Sequence, residues 1–288
     1  MWESKHIFIH DYQLLDEFLK DELFPLTKEF RLDEWFYIRY WQGGPHIRLR
    51  YKIVADNHKQ QFEDQLAERL TAFKNKYSHH SFERVEYDDR ITKLENVSDL
   101  AIYPNFSIQT VPYVAEWDRY GGEAAIQYSE KIFSKSSNLA RYIIEQVDWP
   151  KRYMIAFDLM YHSYKTAEKL RLIQSQAAFF GSYNNVWKAF ERKDTHGPVI
   201  EGLTRRLSKI SAQDSVPEVY VEYLQAVEQE FENISQSQTT YSTENLFYVM
   251  VSHIHMLNNR LGISPENEHL LSSIFLMERE CLSESLEF

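Results

Sequence analysis

The sequence predicts an α+β fold: a ferredoxin-like β-α-β-β-α-β front half packed on a helical back half, in 288 residues. Three observations carry that prediction. Up to about residue 90, short aromatic or β-branched runs alternate with stretches of helical period. Two of those runs are separated by Gln42-Gly43-Gly44-Pro45, a hairpin signal. After about residue 120 only the helical period remains. The whole of 1–288 reads as a single domain, an α+β half at 1–118 and a helical half at 119–288.

Taken in order, Ile7-Phe8-Ile9 is the first strand. Asp11 caps a helix carrying Leu14, Leu15, Phe18, Leu19 and Leu23, which Pro25 closes or bends. WFYIRYW (35–41) and HIRLRYKI (46–53) are the hairpin strands. A helix over about 57–77 carries Phe62, Leu66, Leu70 and Phe73, and SFERVEY (81–87) alternates as a fourth strand. Helices follow near 122–147, 151–178, 199–210, 217–234, 243–261 and 265–281. Breaks fall at Asp148-Trp149-Pro150, at Thr195-His196-Gly197-Pro198 and in the polar stretch 234–240.

Composition narrows the function. The formal charge is −11, from 32 Lys+Arg against 43 Asp+Glu, which argues against direct nucleic-acid binding outside a local basic pocket. There are 8 glycines, under half the usual ~7%, and no GxGxxG, P-loop or GxSxG pattern, so a common phosphate cradle or nucleophile elbow is excluded. One cysteine, Cys281, leaves no internal disulfide and no Cys-based zinc site. No apolar run reaches the ~18–20 residues of a membrane span, and the start lacks signal-peptide features, so a cytoplasmic location without membrane partners is the default.

Three constellations are able to carry chemistry. In His46-Ile47-Arg48-Leu49-Arg50, strand alternation puts His46, Arg48 and Arg50 on one face. With residues 42–45 as a four-residue loop, Trp41 opposes His46, Arg39 opposes Arg48 and Tyr37 opposes Arg50. Opposed like charges are unfavourable, so that face wants an anion unless solvent or structural carboxylates satisfy it. In EWDRYGG (116–122) the glycine pair allows a tight entry to the next helix, and Arg119 beside that terminus is half of an anion site or part of a surface ion pair. In HIHMLNNRLG (253–262), Tyr248, Ser252, His255 and Asn259 fall on one stripe of an otherwise apolar helix stopped by Gly262. A histidine there is either an acid–base group or a satisfied structural one. The HxH pair is no metal motif on a helix, because positions two apart diverge by about 200°.

WFYIRYWQGGPHIRLRY, EWDRYGG with EAAIQYSEKIFSKSS, and HMLNNRLG occur in that order. Together they resemble the C-terminal glutamate-elimination domain of class I lanthipeptide (lantibiotic) dehydratases, also called the thiopeptide-type bacteriocin biosynthesis domain, here in a stand-alone form. The resemblance implies an enzyme that removes glutamate from glutamylated Ser or Thr of a ribosomal precursor peptide bearing a leader, giving dehydroalanine or dehydrobutyrine. A separate tRNA-dependent enzyme would glutamylate the peptide. It implies Arg48, Arg50, Arg119 and His255 as catalytic residues; Arg39, His46 and Tyr37 of the hairpin and Asn259 of the helix stripe are expected to bind substrate. No metal or organic cofactor is implied; a homodimer is left open. The hairpin arginines Arg39, Arg48 and Arg50 are expected on one face, approaching His255 and Arg119 across a cleft between the halves. The same scaffold includes pyridine synthases, which join two dehydroalanines by a formal [4+2] cycloaddition; a non-catalytic peptide scaffold is the third reading.

Overall fold

The computed structural model describes residues 1–192, 197–213, 215–237 and 242–284, the side chains of 278–284 excepted. The chain divides into two units, Met1–Ala115 and Glu116–Phe288. Thr195, His196 and residues 238–240 of the expected breaks lie outside the described residues.

The first unit runs β1 (Glu3–Phe8), α1 (Tyr12–Phe18), a π-helical turn (Leu19–Leu23), α2 (Phe24–Glu29), β2 (Trp35–Tyr40), β3 (His46–Tyr51), α3 (Asp56–Lys76), α4 (Asp89–Leu94) and β4 (Ser107–Thr110). The sheet order is β2-β3-β1-β4 with every pair antiparallel, the split arrangement expected of β-α-β-β-α-β. Asp11 caps α1, its carboxylate accepting from Gln13 N and Leu14 N at 2.8 and 2.9 Å. Pro25 does not end the helix. It sits in the first turn of α2, where a missing N–H costs little, and the π turn closes through Phe24 N donating to Leu19 O. In α3 Phe62, Leu66, Leu70 and Phe73 form the buried stripe, each burial contributing roughly 1.5–3 kcal/mol.

Two expectations for this unit need correction. The fourth strand is Ser107–Thr110, not 81–87. SFERVEY does not alternate strictly, since Glu83 and Arg84 are adjacent polar residues, and it meets no free sheet edge; Ser107–Thr110 takes the β1 edge, Ile7 opposite Ile108. The hairpin register is also displaced by one residue. Tyr40 opposes His46, Ile38 opposes Arg48 and Phe36 opposes Arg50, around a five-residue loop, Trp41–Pro45. Gly43 and Gly44 make the longer loop possible with φ of 87° and 102°. A one-residue shift moves a whole strand's side chains to the other face. Arg39 and Tyr37 therefore share the helix-covered face with Ile47, Leu49 and Tyr51, and not the face of Arg48 and Arg50.

The second unit is helical: α5 (Ile126–Gln146), α6 (Trp149–Lys169), α7 (Gln176–Val186), α8 (Gly197–Ser211), α9 (Glu218–Ser237), α10 (Thr243–Leu261) and α11 (Pro265–Glu284). No strand occurs among its described residues. The single helix expected at 151–178 is two. Arg171 turns left-handed at φ 59° and Ser175 caps α7, its hydroxyl accepting from Ala178 N at 3.2 Å. The apolar period running on through Leu170 and Leu172 hides that break. The stretch 234–237 is the end of α9. α10 packs against α5 and α6, and α11 against α7. Among the described residues no helix is long and apolar enough to cross a membrane.

Candidate functional site

The sheet face away from the helices carries Ser4, His6, Phe8, Ile38, Tyr40, His46, Arg48 and Arg50, by strand alternation and register. These strand positions contribute two guanidinium groups and no carboxylate. Phe8, His46 and His6 stack in sequence, with ring centroids 4.4 and 5.0 Å apart. Burial pushes the His46 imidazole down to about 3, with Arg48 and Arg50 adding and its hydrogen bond to Gly44 opposing. Burial pushes His6 down to about 2, with Arg50 the next cause. Both rings are neutral at ordinary pH. Since the Gly44 carbonyl can only accept, His46 Nδ1–H donates to it at 2.8 Å, and Nε2 accepts from Arg48 Nε at 3.3 Å. Arg50 Nη2 lies 3.4 Å from His6 Nε2. The two imidazoles thus seat the two arginines.

His46 is fully buried and supports Arg48 through its Nε2. Arg39 is tied to Asp16 of α1 at 2.5 Å, and Tyr37 is buried against Trp35. In this register both lie on the helix-covered face, away from Arg48 and Arg50.

In the helical unit, His255 of α10 has its Nδ1 2.7 Å from Glu268 Oε1 of α11. Glu268 is completely buried and also accepts from Asn258 Nδ2 at 3.2 Å and from the Tyr183 hydroxyl. Burial and Glu268 hold Tyr183 well above its ordinary range, so its hydroxyl stays protonated as a donor. Trp187 packs on the imidazole, centroids 4.5 Å apart. In the neutral ring Nδ1–H donates to the carboxylate, and Nε2 is then the nitrogen able to accept.

Arg119 reaches the same stripe of α10, its Nε donating to Ser252 Oγ at 3.3 Å, with Glu116 3.5 Å from Nη1. It ends a 3₁₀ turn, Trp117–Arg119, closed by Gly122 N donating to Trp117 O at 2.7 Å. The glycine pair also leads into α5: Gly122 O accepts from Ala125 N and Ile126 N at 3.1 and 3.0 Å, and Ile126 is the first residue of that helix. A Cβ on Gly121 would lie 3.0 Å from both Ala125 and Ile234. Asn259 is half-buried on the stripe, and its carbonyl accepts from Gly262 N at 3.0 Å. The other histidine of the pair, His253, is buried, hydrogen-bonded to Ser129 at 3.1 Å and pushed down to about 3 by burial, then by Arg260 and Arg119. No group of His, Cys, Asp or Glu able to hold a metal occurs among the described residues.

A model of the lantibiotic biosynthesis dehydratase C-terminal family matches residues 2–277. The chain belongs to that family. The lantibiotic dehydratase C-terminal fold is also seen in three solved structures. A pyridine synthase, TbtD, from thiomuracin biosynthesis is 16% identical, with 95% of this chain and 96% of that one covered at a TM-score of 0.65. TsrL is 17% identical over 97% and 95%, also at 0.65. The tRNA-dependent lantibiotic dehydratase MibB from Microbispora sp. 107891 is 16% identical over 95% of this chain but only 27% of its own, at 0.58. No curated protein sequence matches.

Within this family member, the sequence reading missed Glu268, Tyr183, Asn258 and Trp187. A signal for Glu268 existed. It lies three and seven residues before Leu271 and Phe275, both buried, which puts a carboxylate on the apolar stripe of α11.

Proposed function

We propose that this chain eliminates glutamate from glutamylated Ser or Thr residues of a ribosomal precursor peptide, leaving dehydroalanine or dehydrobutyrine. The observation that carries the reading is the His255–Glu268 pair: a buried carboxylate fixes one ring nitrogen and leaves the other to take a proton. His255 Nε2 removes the α-proton of the esterified residue, and Glu268 balances the imidazolium that forms. The Cα electrons become the Cα=Cβ bond, the Cβ–O bond breaks, and its pair leaves with the glutamate carboxylate. Arg48 and Arg50 hold the departing glutamate's carboxylates, and Arg119 steadies the enolate-like oxygen. Such charge-assisted bonds are worth roughly 1.5–3 kcal/mol each. The ester itself is supplied by a separate tRNA-dependent glutamylation enzyme.

A second reading, pyridine synthesis from two dehydroalanines, is favoured by the near-complete mutual coverage with TbtD. It offers no carboxylate leaving as glutamate for the arginines to hold. The deciding experiment gives purified protein two peptides without tRNA, one glutamylated and one fully dehydrated. Free glutamate and a dehydrated product from the first peptide support elimination. An untouched first peptide, with the second converted to a pyridine macrocycle and freed leader, overturns it.

A further inference from the structure

Residues 80–106, between α3 and β4, form a strap over the β2–β3 loop. Gly43 N donates to the Tyr87 hydroxyl at 3.1 Å, and Tyr103 N donates to Gly43 O at 2.8 Å. Gln42 Nε2 donates to Asp99 O at 3.3 Å, and Trp41 meets Tyr87 edge-on, centroids 5.5 Å apart. Beyond the loop, the strap also reaches β2. The Tyr40 hydroxyl donates to Glu95 Oε2 at 2.5 Å, while the Arg48 guanidinium carbon lies 3.3 Å from the centroid of the same Tyr40 ring. Arg48 is therefore held by a ring face in addition to the His46 nitrogen. A phenol that donates to a carboxylate gains electron density on its ring, and a cation on that face is held more tightly.

We propose that Tyr40 and Glu95 are a positioning pair that sets the pose of Arg48, so that the seating of the strap governs the step in which Arg48 acts. The proposal rests on the reading of Arg48 as a carboxylate-holding group in glutamate elimination. Neither Tyr40 nor Glu95 touches reacting atoms; both act through Arg48. Glu95 is separated from β2 by more than fifty residues of sequence, so its influence exists only when the strap is seated.

The test compares Tyr40→Leu, Tyr40→Phe, Glu95→Gln and the Tyr40→Phe/Glu95→Gln double variant, with Arg48→Ala as reference. Glutamate release from a glutamylated precursor peptide gives kcat and KM separately, and the Arg48 Nε–H resonance gives a readout independent of turnover. Tyr40→Leu is expected to lower kcat by about three- to thirtyfold, the range that follows from cation–π strengths at exposed and desolvated sites. It should also abolish the ring-current shift of the Arg48 Nε–H. Tyr40→Phe and Glu95→Gln should each show a smaller fall in kcat at an unchanged unfolding midpoint, the double variant being no worse than Tyr40→Phe, because without the hydroxyl no bond is left for residue 95 to weaken. Wild-type kcat and an unmoved Arg48 resonance in Tyr40→Leu, or an additive double variant, would overturn the pair while Arg48→Ala remains impaired. Should Tyr40→Leu not fold, the Tyr40→Phe/Glu95→Gln cycle and its resonances decide alone. Wild-type release by Arg48→Ala would instead sink the role of Arg48 in elimination, and this pair with it.

Discussion

A buried carboxylate that meets one nitrogen of a histidine fixes both the tautomer and the direction of the other nitrogen, which is how Glu268 acts on His255. His255→Ala is expected to slow glutamate release by about 10²–10⁴-fold, the usual span for a lost acid–base group. Glu268→Gln keeps the shape but not the charge and should slow it too, as quantified by mass spectrometry of released glutamate. Arg50→Ala should leave the fold intact and let glutamylated peptide accumulate. Arg50→Lys should also be impaired, because an ammonium cannot reproduce the planar fork; wild-type release by either variant would count against the role of Arg50. A pH dependence follows from the buried imidazoles. His6, His46 and His253 stay neutral in the folded chain down to about 2, about 3 and about 3, whereas each takes a proton near pH ~6.5 when unfolded. Below that pH the unfolded state binds more protons, so stability is fully present above about 6.5 and falls as pH drops, by about 1.4 kcal/mol per unit per histidine. His6→Gln should therefore spare about 2 kcal/mol of the loss between pH ~7 and ~5, read by hydrogen exchange at the β1 and β3 amides. An unchanged loss would contradict the neutral His6.

At the scale of elements the β2–β3 loop is the sensitive part. A Cβ on Gly44 would lie 2.5 Å from His10 Nε2 at a φ of 102°, so Gly44→Ala should cost about 1–3 kcal/mol and lower the urea midpoint. The same loop marks where the sequence stopped being legible. Helix stripes such as Leu14–Leu15–Phe18 and Phe62–Leu66–Leu70–Phe73, and the alternation of HIRLR, are period signals and survive into the structure. Register is not a period. It depends on whether Trp41 belongs to the strand or to the turn, and an aromatic residue fits either, so Arg39 was expected opposite Arg48 and is found opposite Ile47. β4 was illegible for a different reason: Ser-Ile-Gln-Thr has one apolar residue and becomes a strand through the open β1 edge. Glu268 is hard to single out because it is one of 43 acidic residues.

For the whole molecule, the −11 charge sets what approaches from a distance. Two guanidinium groups on one sheet face form a local attraction inside a repelling field, and at physiological salt that field is screened beyond about 8 Å. A polyanion gains little from such a surface. Added tRNA should therefore leave the rate of glutamate release from a preformed glutamyl peptide unchanged, and filter binding should detect no complex. A rate that rises with tRNA would mean that the acidic composition conceals a nucleic-acid site.

The five-residue loop has an arithmetic consequence for how this sheet tolerates insertions and deletions. Because Tyr40 and His46 close the hairpin, even-numbered residues of β2 share a face with even-numbered residues of β3. A residue added or removed within Trp41–Pro45 leaves these pairs as they are, whereas a one-residue slip of β2 against β3 inverts the faces. An inverted hairpin that kept Arg48 and Arg50 where they are would turn Arg39 out beside them and drive Tyr40 into the helices. Length changes confined to Trp41–Pro45 should therefore be tolerated, whereas a residue inserted within β2 itself should need a compensating bulge.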